Sequence, residues 1–334
     1  MLRLSGFPAL LTCLAASATL AALAACAQPV TGGATITLAT WNAQWLMAPD
    51  TFDELARVCL GRGGRAGGSQ RTIPCNLVPD GRWTDADLDR LRDFAATLPA
   101  DVYALQEVDG PAAAGRLFPG WPACFTSRPN VQNVGFAIRP GIPHRCNDDY
   151  RALGLPEDDV RWGADLTLYP GSRHELRLLA VHLKSGCNRD PLTSDTNACR
   201  MLQRQVPVLE AWIDARAAEG ARFAVLGDFN RRFDRETAPA RDGNGRIVAL
   251  LPEIDDADPP GADLVDPAAG VPDEACREQD PVRPPIDHIL LGSSLGQAAV
   301  PGSYRMWPYP RGTGLRWPDH CIRTVSLALQ PSGG

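Results

Sequence analysis

The stretch Phe223-Ala-Val-Leu-Gly-Asp-Phe-Asn230 (FAVLGDFN) closes a short apolar run with a glycine, an acid and an amide. The apolar run predicts a buried β-strand at Ala221–Leu226. Because alternate side chains of an extended chain point the same way, we expect Asp228 and Asn230 to face one direction. Gly227 lets the backbone turn where the strand ends. Such a pair alone is most often a turn, so a functional interpretation depends on how the other strands end.

Polar residues also follow or interrupt the other predicted strands. These strands are Thr35–Trp41, Asp101–Glu107, Val134–Ile138, Ala164–Tyr169, Leu176–His182, Ile286–Leu291 and Thr324–Leu329. The polar residues at or near their ends are Asn42, Gln106, Glu107, His182, Asp287, His288, Asp319 and His320. Together they offer hard oxygen ligands, imidazoles and amide donors, which a Mg²⁺-assisted phosphoryl-transfer site requires. One shared site explains this pattern better than separate coincidences.

The remaining organisation indicates a single mixed α/β domain over residues 35–330. A leucine stripe follows a capping box that begins at Thr84, and Met201–Ile213 also has helical spacing. The segment Asp234–Pro285 is rich in Pro, Gly and Asp, which predicts a long connection with little regular structure. Connections of this length more often have a function than not. No internal repeat or second hydrophobic core is evident.

The first residues have the features of an export signal. Residues 1–25 combine a positively charged start with an apolar, alanine-rich run. Leu23-Ala-Ala-Cys26 resembles the bacterial lipobox, in which Cys26 is lipidated and becomes the first mature residue. We therefore predict an exported, membrane-anchored envelope lipoprotein, periplasmic or on the cell surface, with residues 26–34 as a short linker. A secreted protein released from a plain signal peptide is the alternative, whereas Pro8 disfavours an uncleaved anchor.

Eight cysteines follow Cys26, and an even number in an exported protein predicts disulfides. Neighbours in sequence pair naturally, although spacing alone does not fix the connectivity. Those neighbours are Cys59 with Cys75, Cys124 with Cys146, Cys187 with Cys199, and Cys276 with Cys321. No CxxC or histidine-spaced cluster supports zinc. The net charge of −6 gives no global electrostatic argument for nucleic-acid binding.

Six motifs lie in a fixed order along the chain. They are TWNAQWL, ALQEVDG, AVHLKSG, VLGDFN, PIDHILL and WPDHC. As a set they resemble the endonuclease/exonuclease/phosphatase superfamily, in particular its deoxyribonuclease I-like branch, and the likeness spans residues 36–329. The resemblance implies a four-layer α/β sandwich, in which two mostly antiparallel sheets pack face to face with helices outside.

The resemblance also implies a metal site. Asn42 and Glu107 would lie at a Mg²⁺ or Mn²⁺ ion, with Ca²⁺ as a further option, and Glu107 would be the principal carboxylate ligand. Asp319 would lie near the same ion. Gln44 stands where some relatives carry an acid, so a second metal ligand is not expected there.

The catalytic roles follow from the same likeness. Asp228 would orient or deprotonate the attacking water, and Asn230 would donate to the phosphate. Asp287 would hold His320 in the orientation that stabilises a pentacovalent transition state. His182 would protonate the leaving group or contact the phosphate.

Four further residues are predicted to bind substrate. Lys184, two residues after His182, projects the same way, although a solvated surface lysine is an equal alternative. The resemblance implies a supporting tyrosine or glutamate near residues 130–135, where none is identifiable, and Gln132 or Asn133 is expected to occupy that neighbourhood. Arg316 and Trp317 lie in the Arg305–Trp317 loop, whose arginines and aromatics suit a nucleic-acid backbone and base. A proline-braced loop with its tryptophan packed inward is the alternative.

The predicted function is an exported, metal-dependent phosphodiesterase, a nuclease acting on DNA or RNA as a monomer. Two alternatives share the chemistry: a sphingomyelinase-like phospholipid phosphodiesterase and a phosphomonoesterase. The sphingomyelinase alternative is disfavoured because this sequence shows no clear apolar hairpin for membrane entry. The phosphomonoesterase alternative is weakened because PPIDHILL lacks the Trp-Cys-Asp-Arg pattern of inositol phosphatases. A non-catalytic surface lipoprotein is disfavoured because the whole candidate site is present.

Overall fold

The structure, a computed structural model, describes residues 35–59, 72–156, 160–236, 239–312 and 314–329. The predicted signal peptide, the lipobox Cys26 and the linker 26–34 lie outside these ranges and stay predictions. Among the described helices, none combines the length and the apolar character needed to cross a membrane.

Strands and helices are interspersed along the chain. The strands are β1 (Thr35–Leu46), β2 (Val102–Val108), β3 (Ala123–Phe125), β4 (Asn133–Ile138), β5 (His144–Cys146), β6 (Ala164–Leu168), β7 (Leu176–His182), β8 (Phe223–Asp228), β9 (Ala240–Arg241), β10 (Ile247–Val248), β11 (Leu264–Val265), β12 (Asp287–Gly292), β13 (Arg305–Trp307) and β14 (Ile322–Ala328). The helices are α1 (Pro49–Ala56), α2 (Val78–Gly81), α3 (Asp85–Ala96), α4 (Pro111–Leu117), α5 (Asn197–Ala218), α6 (Leu251–Ile254) and α7 (Ser293–Gly296).

Two six-stranded sheets form the frame of the domain. The first has the order β13-β14-β1-β2-β4-β3, and the second has the order β11-β12-β8-β7-β6-β5. Within them, β1 with β2 and β7 with β8 run parallel, and the other neighbouring strands are antiparallel. The expected pair of mostly antiparallel sheets is confirmed.

Each sheet is buried on both faces. Between the sheets, Leu38 and Phe136 pack with Leu178 and Leu226. The outer face of the first sheet packs on α3 and α4, and that of the second packs on α5. Strands covered on both sides read as continuous apolar runs rather than alternating ones, which explains the FAVLG run of β8. The expected four-layer α/β sandwich is confirmed.

The structure extends several predicted elements. α5 begins at Asn197 because the hydroxyl of Thr196 accepts a hydrogen bond from the Cys199 amide at 3.1 Å. The predicted capping box at Thr84 is present, with Asp87 as its partner. The short strands β3, β5 and β13 and the helix α4 were not predicted, since three to seven residues carry too little periodicity.

Four disulfides join the cysteines that neighbour one another in sequence. The pairs are Cys59–Cys75, Cys124–Cys146, Cys187–Cys199 and Cys276–Cys321. This number is compatible with an extracellular protein. The last pair ties the long Asp234–Pro285 segment to the residue that follows His320.

Candidate active site

Strand register places three predicted site residues in one row of the second sheet. β7 pairs His182 with Asp228 of β8, and β12 pairs Asp287 with the same aspartate. Neighbouring strands lie about 4.8 Å apart, so the three side chains start from adjacent positions. In the first sheet, the parallel pairing of β1 and β2 sets Asn42 beside the residue that precedes Glu107.

The two rows meet where the sheets face each other. Asn42 Nδ2 donates to Asp228 Oδ2 at 3.0 Å, which joins the first sheet to the second. His182 Nε2 lies 3.5 Å from Asp228 Oδ2 and 3.8 Å from Glu107 Oε1. The structure therefore brings these strand-end residues together at one place, as the sequence predicts.

The backbone at these strand ends adopts left-handed conformations that non-glycine residues rarely occupy. The φ angles are 49° at Gln44, 55° at Trp45, 59° at Glu107 and 51° at Asn230. Local hydrogen bonds fix the turn after β1: the Gln44 amide donates to Asn42 Oδ1 at 3.0 Å, and the Trp45 amide donates to Glu107 Oε2 at 3.1 Å. Strain held in this way is typical of functional sites.

Gly227 is required by the close approach of β7 to β8. Its φ is +150°, and a Cβ built there would lie 2.0 Å from the carbonyl oxygen of Val181. The next residue, Asp228, accepts hydrogen bonds from Asn42 and, at 2.7 Å, from the Asn230 amide. Burial raises the pKa of Asp228 to about 7, against the opposing charge of His320.

Asp287 and His320 form a buried acid–imidazole pair. His320 Nδ1 lies 2.9 and 2.8 Å from the two carboxylate oxygens of Asp287. Burial by itself would lower the pKa of His320, but the charge and hydrogen bond of Asp287 raise it well above its ordinary value. Burial would likewise raise the pKa of Asp287, yet His320 holds it below its usual range. The pair is thus an imidazolium with a carboxylate, and His320 Nε2 lies 4.0 Å from Asp228 Oδ2.

His182 differs from His320 in its charge state. The side chain is buried, and its Nδ1 atom has no hydrogen-bond partner among the described residues. Burial, with the positive charge of Arg161 next, lowers the pKa of His182 well below its ordinary value. A neutral imidazole can donate a hydrogen bond but is a poor acid.

The donor set around Glu107 fits a hard divalent cation. Burial raises the pKa of Glu107 and outweighs the opposing effects of the Arg161 and His320 charges and of the hydrogen bond with Asn42. The side-chain oxygen of Asn42 lies on the same turn, since both residues hydrogen-bond the backbone of 44–45. Asp319 is exposed, its amide donates to Gln44 Oε1 at 3.1 Å, and its charge acts on Glu107. Carboxylate and amide oxygens are the ligands that Mg²⁺ and Ca²⁺ take.

A second group could also hold a metal ion. Ligand atoms of Asp228, Asp287 and His320 lie within 4.8 Å of one another. His320 Nδ1 already donates to Asp287, so the imidazole would take an ion through Nε2, which lies 4.0 Å from Asp228 Oδ2. The described residues therefore offer two candidate places for a cation, this group and the oxygens around Glu107.

Three predicted contacts have their polar atoms engaged by the protein. Asn133 donates to the Asn130 carbonyl at 2.6 Å and accepts from the hydroxyl of Thr126 at 3.2 Å. Asn230 Nδ2 donates to the Leu183 carbonyl at 3.0 Å. Lys184 Nζ donates to the carbonyl of the next residue at 2.8 Å, and burial lowers its pKa. Lys184 and Asn230 lie beside the site, whereas the side chain of Asn133 braces its own loop.

The interpretation of Trp317 as a base-stacking residue is wrong. Its ring is 7% exposed and stacks on Tyr309 with 4.9 Å between ring centroids, as part of the outer core of the first sheet. Burying so large an apolar ring is favourable, and the loop therefore adopts the alternative in which its tryptophan packs inward. Arg316 lies 3.8 Å above the ring of Trp83 and donates to the carbonyl of Arg82, so its guanidinium also packs against the protein.

Two residues of the site were not predicted. Arg161 Nε donates to the His182 carbonyl at 2.9 Å, and its charge acts on Glu107 and Asp228. Burial lowers its pKa to about 10. Tyr309 donates through its hydroxyl to the His320 carbonyl at 2.6 Å and so positions the imidazole. In the sequence, Arg161 is marked only by its place shortly before the apolar run of β6.

Comparison with known proteins identifies the family of the chain and supports its fold. Residues 39–330 match the sequence profile of the Endonuclease/Exonuclease/phosphatase family. TDP2 from C. elegans has 14% identity and a TM-score of 0.55, covering 88% of this chain and 75% of its own. The 3′ phosphatase NExo from Neisseria, bound to a product DNA hairpin, has 17% identity and a TM-score of 0.55, with 87% and 99% covered.

The AP endonuclease LMAP from Leishmania major has 16% identity and a TM-score of 0.52, covering 89% of this chain and 88% of its own. At these identities the structural likeness demonstrates the fold alone. No curated protein matches the chain in sequence.

Proposed function

We propose that this chain, which belongs to the Endonuclease/Exonuclease/phosphatase family, is an exported, divalent-metal-dependent phosphodiesterase that hydrolyses DNA or RNA. Family members are phosphoester hydrolases, among them nucleases and 3′ phosphatases. The observation that carries the proposal is the 3.0 Å hydrogen bond from Asn42 to Asp228, because it unites the polar strand ends of two sheets in one site.

Asp228 is the group that prepares the attacking water. Its carboxylate is buried and is held by Asn42 and by the Asn230 amide, so its orientation is fixed before substrate arrives. In the reaction, the water oxygen forms a bond to phosphorus while the bond to the leaving ester oxygen breaks. Asp228 accepts the proton that the water loses, and the leaving oxygen takes a proton from the surrounding water.

His320 stabilises the negative charge that develops on the phosphate oxygens. Asp287 accepts from Nδ1, which leaves the Nε2–H of the imidazolium free to donate toward the substrate. His182, neutral and 3.5 Å from Asp228, donates a second hydrogen bond to the phosphate. Arg161 holds the backbone on which His182 is placed.

Glu107, with the side-chain oxygens of Asn42 and Asp319, would hold Mg²⁺ or Mn²⁺, with Ca²⁺ as a further option. A bound divalent cation would neutralise charge on the phosphate and so assist its hydrolysis. The largely buried carboxylate of Glu107, whose charge burial disfavours, supports this placement.

Two observations support a nucleic-acid substrate and an exported location. The similar structures include an AP endonuclease and a protein bound to a product DNA hairpin. Four disulfides suit an oxidising compartment. The lipid anchor at Cys26 is part of this proposal and places the enzyme at the cell envelope.

The test is a substrate panel with the purified protein. Plasmid DNA, single-stranded RNA, sphingomyelin vesicles and bis(4-nitrophenyl) phosphate are each incubated with Mg²⁺, Mn²⁺ or Ca²⁺. We expect nicking of the plasmid or cleavage of the RNA, loss of that activity in EDTA, and its absence in the Glu107→Gln variant. The Glu210→Gln variant, which changes a half-buried carboxylate on α5, serves as the matched control.

Release of phosphocholine from sphingomyelin without cleavage of either nucleic acid would contradict the proposal and favour the phospholipid alternative. Hydrolysis that is equally fast in EDTA would contradict the metal requirement.

A further inference from the structure

A cleft of about 410 Å³ opens beside the Asp287–His320 pair. Its volume lies within the range of about 300–1,000 Å³ usual for small-ligand sites. Four chain segments line it: the loop after β7, the residues after β8, the end of the Asp234–Pro285 segment, and β14. The arginines in the lining are Arg189, Arg232, Arg277, Arg283 and Arg323.

Three of these arginines have no carboxylate within 4 Å in the part of the chain that the structure describes. Arg232 pairs with Asp234 at 2.8 Å, and Arg277 pairs with Asp280 at 2.8 Å. By contrast, Arg189 and Arg283 are exposed and unpaired by the same criterion. The lining also holds four carboxylates, so the five arginines and His320 leave a surplus of positive charge; the four are Glu274, Asp280, Asp287 and Asp319.

Arg323 is the informative member of the set. Its side chain is 5% exposed, its Nη1 donates to the Tyr304 hydroxyl at 2.8 Å, and its buried Nε has no partner among the described residues. Its charge acts on the carboxylates of Asp266, Asp273 and Asp287, but none of them lies within 4 Å, and a buried guanidinium without a close anion is costly. Its position in the lining of an open cleft beside the reacting centre indicates that an anion completes the pairing.

The wall of the cleft is fixed relative to His320. Cys276, which lines the cleft, forms a disulfide with Cys321, the next residue after His320. The Cys276 carbonyl also accepts from the Tyr309 amide at 2.9 Å, and Tyr309 holds the His320 carbonyl. An anion in this cleft would therefore lie at a constant position relative to the catalytic imidazole.

We propose that this cleft binds a phosphate of a polynucleotide next to the one being cleaved. The proposal rests on the proposed function and narrows it to substrates with at least two neighbouring phosphates. Sphingomyelin carries one phosphate next to a cationic choline, which unpaired arginines repel, and a phosphomonoester has no second anion. Arg189, Arg283 and Arg323 thus select for a nucleic-acid chain over both alternatives.

The experiment compares substrate length. kcat/KM is measured for a dinucleotide with one phosphodiester and for a hexanucleotide, using wild type and the Arg189→Gln/Arg283→Gln double variant. Arg173→Gln/Arg222→Gln, which changes two arginines near the opposite ends of β7 and β8, is the charge-matched control. Thermal unfolding of each variant confirms that it folds.

In wild type we expect the hexanucleotide to exceed the dinucleotide by about tenfold in kcat/KM. The double variant loses most of this advantage, and the control keeps it. Fluorescence-anisotropy binding of the hexanucleotide in EDTA is expected to show a salt slope lower by about 0.7 for each phosphate that the double variant no longer neutralises.

Two results separate the possible failures. A double variant that keeps both the length preference and the salt slope of wild type overturns the cleft proposal and leaves the proposed function standing. Wild type that neither binds nor cleaves any oligonucleotide overturns the proposed function itself.

Discussion

In the proposed function Asp287 acts on the reaction through His320, and a double-mutant cycle tests this coupling. Both carboxylate oxygens of Asp287 lie within hydrogen-bond distance of His320 Nδ1, at 2.9 and 2.8 Å. Removing the charge with Asp287→Asn should therefore slow hydrolysis only as long as the imidazole is present. The cycle uses Asp287→Asn, His320→Ala and the two changes together.

The size of the effect follows from the distance between the two groups. At 2.8 Å and an effective dielectric constant of ~20, the attraction between the two charges is about 6 kcal/mol. The desolvation of both groups offsets part of this, and hydrogen bonds to charged groups contribute about 1.5–3 kcal/mol in practice. A loss near 3 kcal/mol lowers kcat by about 100-fold, since each tenfold corresponds to about 1.36 kcal/mol.

The assay is steady-state hydrolysis of the best substrate from the panel, under saturating metal. We expect kcat to fall about 100-fold in Asp287→Asn and about 10³-fold in His320→Ala. The double variant should be no slower than His320→Ala alone, because the coupling is then already removed. Asp93→Asn, an exposed aspartate on α3, is the control.

Two outcomes would refute the reasoning. Additive losses, with the double variant about 10⁵-fold slower, would show that Asp287 has a role independent of His320. An Asp287→Asn variant within threefold of wild type would show that the pair does not contribute to the transition state.

Two further predictions concern stability. Gly227→Ala should lower the free energy of unfolding by about 3 kcal/mol or more, because the new Cβ would lie 2.0 Å from the Val181 carbonyl oxygen. Urea denaturation measures this loss. Gly243→Ala is the control, because a Cβ at that position has no atom within 4 Å. Burial holds the pKa of His288 at about 4, below the ordinary 6.5, so the unfolded state gains its proton first as the pH falls. Wild type should lose about 3 kcal/mol from this group between pH 6.5 and pH 4, and the His288→Phe variant should lack that loss in the same denaturation series; equal pH slopes in both proteins would contradict the assignment.

Local patterns in the sequence were enough to predict most of the frame. Apolar runs marked β1, β2, β7, β8 and β12, and their polar ends marked the residues that the site unites. These signals are local because burial on both faces of a strand and a change to polar residues at its end are written in consecutive positions.

Side-chain packing decided what the sequence left open. The sequence around Trp317 is compatible with stacking on a base and with packing in the core. Only the shape of the core beside α3 places the ring on Tyr309. Arg161 looks like an ordinary charged residue until its guanidinium is found under His182. Cysteine spacing suggested four pairs but did not establish them, since connectivity depends on which loops meet.

By itself, the sequence determined which polar residues stand at the strand ends, because strand ends and their side chains are local properties. The tertiary structure alone decided that Asn42 meets Asp228 across 186 positions and that unpaired arginines gather beside His320. Contacts over such separations depend on strand register and on the packing of one sheet against the other. No stretch of consecutive residues encodes these long-range relations.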